Sequence, residues 1–381
     1  MQIGNWYANI YCQGCFFGVV LLVRIFQLLL VCLVVSAVAQ LAMSQHNTVS
    51  VEVDGVTVSG QAMGYDGKQL ALLLRDGQVR LIKASNETIK PLEKPSQPYS
   101  HTLLRDAFFK EYRNRYDVST TENYVVIHPW GDASTWAKPF NDFHNQFMSY
   151  FESKGFKLKR PEFPLVAFVL RSRNDFERSL INESQWRDAR IAGYYSRATN
   201  RITTYDPAGQ LRLTDDPWMY SSWPIIHEAT HQSAFNTGVH NRFAPPPIWL
   251  AEGLATMFEA KGIHDHQHHT RATDRVNVRR LKQLRKFLDK NEFRAGMINL
   301  VANDKLFRSH LEMAYGLSWG LAFYLAETKE KEFFEFIARD AKRKNFVPYR
   351  SEQRLRDFAK AFGNDFDKLA QDMRRYYRVK K

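Results

Sequence analysis

The chain reads as an α+β protein with a small β module in front, a domain whose strands precede its helices, and a mainly helical end. Three observations predict this. Residues 48–92 alternate apolar and polar positions between Asp-Gly pairs, apolar strand-length runs alternate with helical periods from about 100 to 205, and from Ile225 onward the apolar spacing is almost entirely helical. Strands followed by helices, rather than strict alternation, favour a mixed sheet packed on one helix over a doubly wound fold.

Taken in order, residues 1–39 stand apart from the fold. Arg24 precedes the apolar run 25–35 and the small-residue triplet Ala37-Val38-Ala39, the pattern of a secretory signal cleaved before Gln40. A further apolar run, Phe16 to Val23, lies ahead of Arg24, so a retained N-terminal membrane anchor is the other reading. Either predicts export to a periplasmic, envelope or extracellular location. All 3 cysteines, Cys12, Cys15 and Cys32, lie in this leader. The exported chain would hold no thiol, which excludes a disulfide framework, a cysteine nucleophile and cysteine metal ligands, and leaves histidine and carboxylate chemistry.

A β module is expected over residues 46–95. Val49, Val51 and Val53 alternate up to Asp54-Gly55, Val56 and Val58 resume the pattern, and the runs 70–74 and 79–82 flank Asp76-Gly77. Asp-Gly between alternating runs is a strong hairpin signal, so about four strands should form before the proline-bearing linker Pro91 to Pro98.

The main domain is expected over residues 100–335. It opens with a basic, aromatic helix near Leu103 to Arg115, then a strand at Tyr124 to Ile127, a helix around Ser134 to Lys154, an apolar strand at Leu165 to Leu170 and a polar helix near Asp175 to Leu180. Ala192 to Ser196 and Arg201 to Tyr205 form a hairpin around Ala198-Thr199-Asn200. Next, Ser221 and Ser222 offer N-caps, Pro224 suits a first turn, the run from Ile225 to Phe235 has helical spacing, and Gly238 is a C-terminal stop. Pro245-Pro246-Pro247 then breaks the chain, Ile248 to Ala260 reads as a helix, and Gly262 ends it. Arg275 to Lys290 spaces Val278, Leu281, Leu284 and Leu288 like a helix with a positive outer face. Residues 336–381 read as a basic helical tail packed on the domain.

The chemistry sits on the two helices in the middle. In His227-Glu228-Ala229-Thr230-His231 the histidines lie four apart, so a helix presents both imidazoles to one ion. Glu228, beside the first histidine, can reach a water on the same metal and act as general base. A catalytic zinc takes three protein ligands and keeps one open position, so a third donor must come from elsewhere. Glu252 is the first candidate, in the opening turns of a helix entered by a rigid proline turn. Glu259, seven residues later on nearly the same helical face, is the alternative.

With these residues identified, the chain resembles the gluzincin zinc metallopeptidases, and most closely the peptidase-MA-like group of secreted proteins. The resemblance runs over about residues 100–330. It is carried by the stretch His227 to Gln232, by Pro247-Ile248-Trp249-Leu250-Ala251-Glu252-Gly253-Leu254-Ala255, and more weakly by Phe163-Pro164-Leu165-Val166 and Gly193-Tyr194-Tyr195. It implies a gluzincin-like domain, one zinc per chain held by His227, His231 and Glu252, and amide hydrolysis with Glu228 as base. It also implies a tyrosine or histidine from the C-terminal helices as oxyanion donor, for which Tyr315 is the first choice and His310 and Tyr324 are reserves.

Two departures stand out. Ala251 replaces the asparagine that precedes the glutamate ligand in thermolysin-type enzymes, and Thr256 stands where an aspartate often supports a histidine. Support would then come from Thr256, Glu259 or the backbone. The competing reading is a catalytically silent relative that binds peptides or envelope polymers in the same cleft.

A net charge of +13 makes the surface basic. A solvated helix face and attraction to an anionic envelope surface are the two readings of the basic runs, and with no recognition motif in an exported chain, nucleic acid is not an expected partner. The cluster His264-Asp265-His266-Gln267-His268-His269 reads as a solvated loop, because closely spaced loop histidines make poor catalytic geometry. The strand Gly193 to Ser196 is placed to take an extended peptide by strand addition, or is an ordinary edge strand.

Overall fold

The structure is a computed structural model that describes residues 48–85, 87–130, 135–182, 191–206 and 217–379. The leader and its two readings lie outside these residues, as does the expected helix start at Ser134. Among the described residues no helix is long and apolar enough to cross a membrane.

The N-terminal module is an antiparallel sheet of β1 (Thr48–Val53), β2 (Val56–Tyr65), β3 (Gln69–Leu73), β4 (Val79–Lys83) and the short β5 (Lys90–Pro91), ordered β4-β3-β2-β1-β5. Its first turn takes the form that Asp-Gly allows, with Asp54 at φ 52° and Gly55 at φ 77°. Val49, Val51, Leu70, Leu72 and Ile82 form its own small core. The β3–β4 turn rests on the main domain, where Val79 N–H donates to the Ala198 carbonyl at 2.8 Å and Arg201 pairs with Asp76 at 3.1 Å.

The main domain follows as α1 (His101–Tyr112), β6 (Asp117–Thr120), β7 (Tyr124–His128), α2 (Ala137–Ser153), β8 (Leu165–Leu170), α3 (Arg173–Asn182), β9 (Gly193–Ser196) and β10 (Arg201–Tyr205). Its sheet runs β6-β7-β8-β10-β9, with β7, β8 and β10 parallel and both outer strands antiparallel. Side chains alternate across it as a two-residue period requires. Val125, Ile127 and Val166 pack on Leu104 and Phe108 of α1, whereas Tyr124, Val126, Leu165, Ala167 and Val169 face the main core with α2. The polar strand β6 was not expected from the sequence; Asp-Val-Ser-Thr has no apolar period, and pairing to β7 makes it a strand.

The helical part comprises α4 (Pro217–Thr237), α5 (Ile248–Phe258), α6 (Lys261–His264), α7 (Val278–Arg285), α8 (Phe293–Ala302), α9 (Leu306–Ser309), α10 (Leu311–Thr328), α11 (Glu330–Asp340), α12 (Ser351–Phe362) and α13 (Phe366–Val379). The strand-first, helix-later order is thus the observed one. α10 is buried along nearly its whole length against α5 and α7, and Phe358, Met373 and Tyr377 of the last two helices reach the same core.

Three local expectations are corrected. α4 begins at Pro217 and passes through Pro224, so Ser221 and Ser222 lie inside a helix and do not cap it. Proline costs a helix interior about 3 kcal/mol, and burial of Ile225 and Ile226 directly after it opposes that cost. Gly262 does not end the second helix, which stops at Phe258. It lies in α6, where a Cβ would come 2.6 Å from the Arg275 nitrogen, so close chain approach is what requires glycine there. Val278, expected on the apolar stripe of the basic helix, is 72% exposed, while Arg280 on the expected outer face is 5% exposed.

Candidate metal centre

α4 is held between the sheet and the helical half. Ile225, Ile226, Ala229 and Ala234 enter the main core, and Gln232 donates to the carbonyls of Val166 at 3.0 Å and Asn200 at 2.9 Å. That fixation turns His227 and His231 toward α5, and Gly238 closes the helix at φ 88°. α5 starts directly after Pro247, its Ile248 N–H donating to Asp304 at 3.2 Å, and Gly253 lets it lie against α10. Glu252 therefore meets the two histidines with a side chain 3% exposed.

His227, His231 and Glu252 are brought together as one buried group. The Nε2 atoms of His227 and His231 are 3.2 Å apart, His227 Nε2 is 3.1 Å from Glu252 Oε2, and His231 Nε2 is 3.5 Å from Glu252 Oε1. A tetrahedral zinc with ligands at about 2.1 Å sets its donors about 3.4 Å apart. The observed triangle has that size and the right donors, so these residues fit zinc. Burial alone would raise the Glu252 carboxyl, but His231 and His227 hold it well below the usual carboxylate range. Burial would lower His227, yet Glu252 and Glu259 on its two ring nitrogens lift it to about 10 in the metal-free chain.

Glu228 is half-buried on the side of the group that faces β9. Its Oε2 accepts the Tyr195 N–H at 2.8 Å, from the outer edge of β9, and a Cβ on Gly193 would lie 3.3 Å from Glu228 Cγ. Burial raises its carboxyl, with the two histidines pulling the other way.

The remaining candidates separate cleanly. The ring of Tyr315 is 6.4 Å from that of His227. His310 is exposed at the start of α10, and Tyr324 stacks edge-on against Tyr376 at 5.3 Å. Thr256 shares its hydroxyl proton between the Glu252 and Gly253 carbonyls at 2.6 and 3.0 Å, bonds within its own helix. Glu259 faces the opposite side of His227, with Oε1 2.9 Å from Nδ1, and so lies behind that ring rather than within the His227, His231 and Glu252 group. The histidine cluster is partly solvated. His268 and His269 approach Asp265 at 2.6 and 3.5 Å, while His264 is tied to the Phe258 carbonyl at 2.7 Å.

Sequence reasoning missed Asn277 and Arg280, both bonded to Glu259. Asn277 could have been found as an N-cap before a helical period, and its oxygen does accept the Arg280 N–H at 3.2 Å. Arg280 carried no signal, since it stands in a basic run whose other members are largely exposed.

Residues 223–347 match the family model described as "Protein of unknown function (DUF1570)". That stretch contains His227, His231 and Glu252. No curated protein matches the chain. Among solved structures it is similar to an M1 zinc metallopeptidase from Deinococcus radiodurans, at 14% identity and TM-score 0.38, covering 86% of this chain and 58% of that one. A point mutant of the same enzyme gives 12% identity and TM-score 0.34, covering 87% and 59%. The chain thus spans less than two thirds of those enzymes.

Proposed function

We propose that the protein is an exported, zinc-dependent peptidase of gluzincin type. One observation carries this reading. The ligand triangle of His227, His231 and Glu252 is the size of a zinc site, with the carboxylate of Glu228 beside it on the side of β9.

Bound zinc would polarise a scissile carbonyl and lower the pKa of water. The other steps belong to the chain. Glu228 takes the proton of the attacking water and returns it to the leaving nitrogen, a role that suits a carboxyl raised by burial above its ordinary value. Tyr195 N–H fixes the orientation of that carboxylate. The Tyr315 hydroxyl donates to the developing oxyanion, with the Arg280 guanidinium stacked 4.7 Å over its ring. An extended peptide adding to the edge of β9 would bring its carbonyl to Glu228.

The test is cleavage of a mixed peptide library by residues 40–381, with and without chelator, beside Glu228→Gln. Chelator-sensitive cleavage that falls about 100- to 10,000-fold in Glu228→Gln, with zinc retained, is the expected result. Zinc without turnover in the unaltered chain would favour a silent peptide-binding relative.

A further inference from the structure

β9 is an outer strand of four residues, paired to β10 alone in its sheet, and such a strand opens locally at little cost. Its Tyr195 N–H must nevertheless stay within hydrogen-bond reach of Glu228 if the carboxylate is to keep its orientation. The turn that follows the strand supplies the hold. Asn200 stands there at φ 59°, and the Tyr195 hydroxyl donates to its Oδ1 at 2.7 Å. Asn200 Nδ2 donates to Asn236 Oδ1 of α4 at 2.9 Å, and Asn236 Nδ2 returns a bond to Asn200 Oδ1 at 2.8 Å. Tyr195 is thus fixed at both ends, its backbone on Glu228 and its hydroxyl on the turn, with its ring stacked on Phe235 at 5.9 Å. The N-terminal module holds the same turn from the other side. Val79 N–H donates to the Ala198 carbonyl at 2.8 Å, and Asp76 pairs with Arg201 at 3.1 Å through side chains 16% and 20% exposed. Between them Gly77, at φ 80°, comes so close that a Cβ would lie 3.0 Å from Phe163 Cγ and 3.3 Å from Asn200 Nδ2.

We propose that the N-terminal β module is a clamp on the strand beside the metal centre. Asp76, Gly77 and Val79 hold the turn from Ala198 to Arg201, Asn200 passes that hold to Tyr195, and the Tyr195 N–H holds Glu228. These are positioning residues, acting on the base through main-chain geometry. The catalytic consequence rests on the peptidase reading and deepens it, because it gives the module a part in the reaction. The clamp itself is a property of the metal-free chain. An outer strand with one ladder needs a second anchor to keep a donor within a few tenths of an ångström of its acceptor, and the module and α4 supply that anchor from opposite sides of one turn.

Two variants cut the path at different points. Val79→Pro with Asp76→Asn removes the main-chain bond and the ion pair together and leaves Arg201 a neutral acceptor; Val79 is the first residue of β4, where proline is tolerated. Asn200→Gly leaves the module untouched, keeps the positive φ and removes the amide that ties Tyr195 to the turn. Each is compared with the unaltered full-length chain by amide hydrogen exchange, by chelator competition for zinc and by peptide cleavage. In both, the Tyr195 amide should exchange about 3- to 10-fold faster, the size that one backbone hydrogen bond supports. The amides of β7 and β8 should keep the parent's rates and zinc affinity should be kept, while kcat falls by a similar factor. If one variant fails to fold, the other decides. Faster exchange spread evenly over β7, β8 and β9 would mark a merely structural contact and overturn the proposal, as would a Tyr195 amide at the parent's rate in a folded variant. Selective loosening of β9 in a chain whose parent shows no chelator-sensitive cleavage would support the clamp and overturn the peptidase reading.

Discussion

Gly253 is the point where the account can be tested through packing alone. It sits next to Glu252 at the α5–α10 contact, and a Cβ there would come 2.7 Å from the Ser318 carbonyl oxygen and 2.8 Å from the Ala322 Cβ. Ordinary contact begins at 3.4 Å, so Gly253→Ala must part the helices by about 0.7 Å, the difference between 3.4 and 2.7. Overpacking of this kind costs about 1–3 kcal/mol, and the two short contacts place this site in the upper part of that range. Alanine returns about 1 kcal/mol of helix propensity. The net loss is then about 1–2 kcal/mol. Such a loss corresponds to a fall of roughly 2–6 °C in thermal midpoint for a domain of this size. Because the displaced helix carries Glu252, zinc affinity should fall as well. Thermal unfolding of the metal-free chain followed by chelator competition reads both quantities. A midpoint equal to or above the parent's would show only the propensity gain and would refute the close approach.

Other outcomes follow from single contacts. Tyr315→Phe should keep its zinc and lose about 100- to 1,000-fold in kcat, as loss of one oxyanion donor does, and an unchanged kcat would remove Tyr315 from the chemistry. His144 is 1% exposed, bonded to Ser233 at 3.0 Å, and lowered by burial from 6.5 to about 4. Between those pH values the unfolded chain binds the proton and the folded one does not, so stability falls as pH drops through the window. The loss approaches about 3 kcal/mol at the acidic end. His144→Gln should flatten that slope by about one proton in metal-free unfolding measured across pH, and an unchanged slope would contradict the burial argument.

The pairing of His227 with His231 was legible because helical geometry is local: two histidines four apart share a face wherever the helix lies. The hairpin at Asp54-Gly55 was legible for the same kind of reason, since positive φ at both positions is a property of those residues. Glu252 needed a second helix, and the proline turn before it supplied the signal. What failed was set by distant partners. Glu259 could not be assigned between ligand and support, because the residues that hold it, Asn277 and Arg280, lie 18 and 21 positions away. Arg280 read as solvated because charge alone does not reveal a buried counter-charge. Gly262 read as a stop, when its role is to admit the chain at Asp274 and Arg275.

The most direct measurement is metal content per chain after stripping and reconstitution with zinc, for the parent, His231→Ala and Glu228→Gln. One zinc in the parent, one in Glu228→Gln and loss of tight binding in His231→Ala is the predicted result. A parent without zinc, or His231→Ala with a full tight complement, would contradict the assignment of the site.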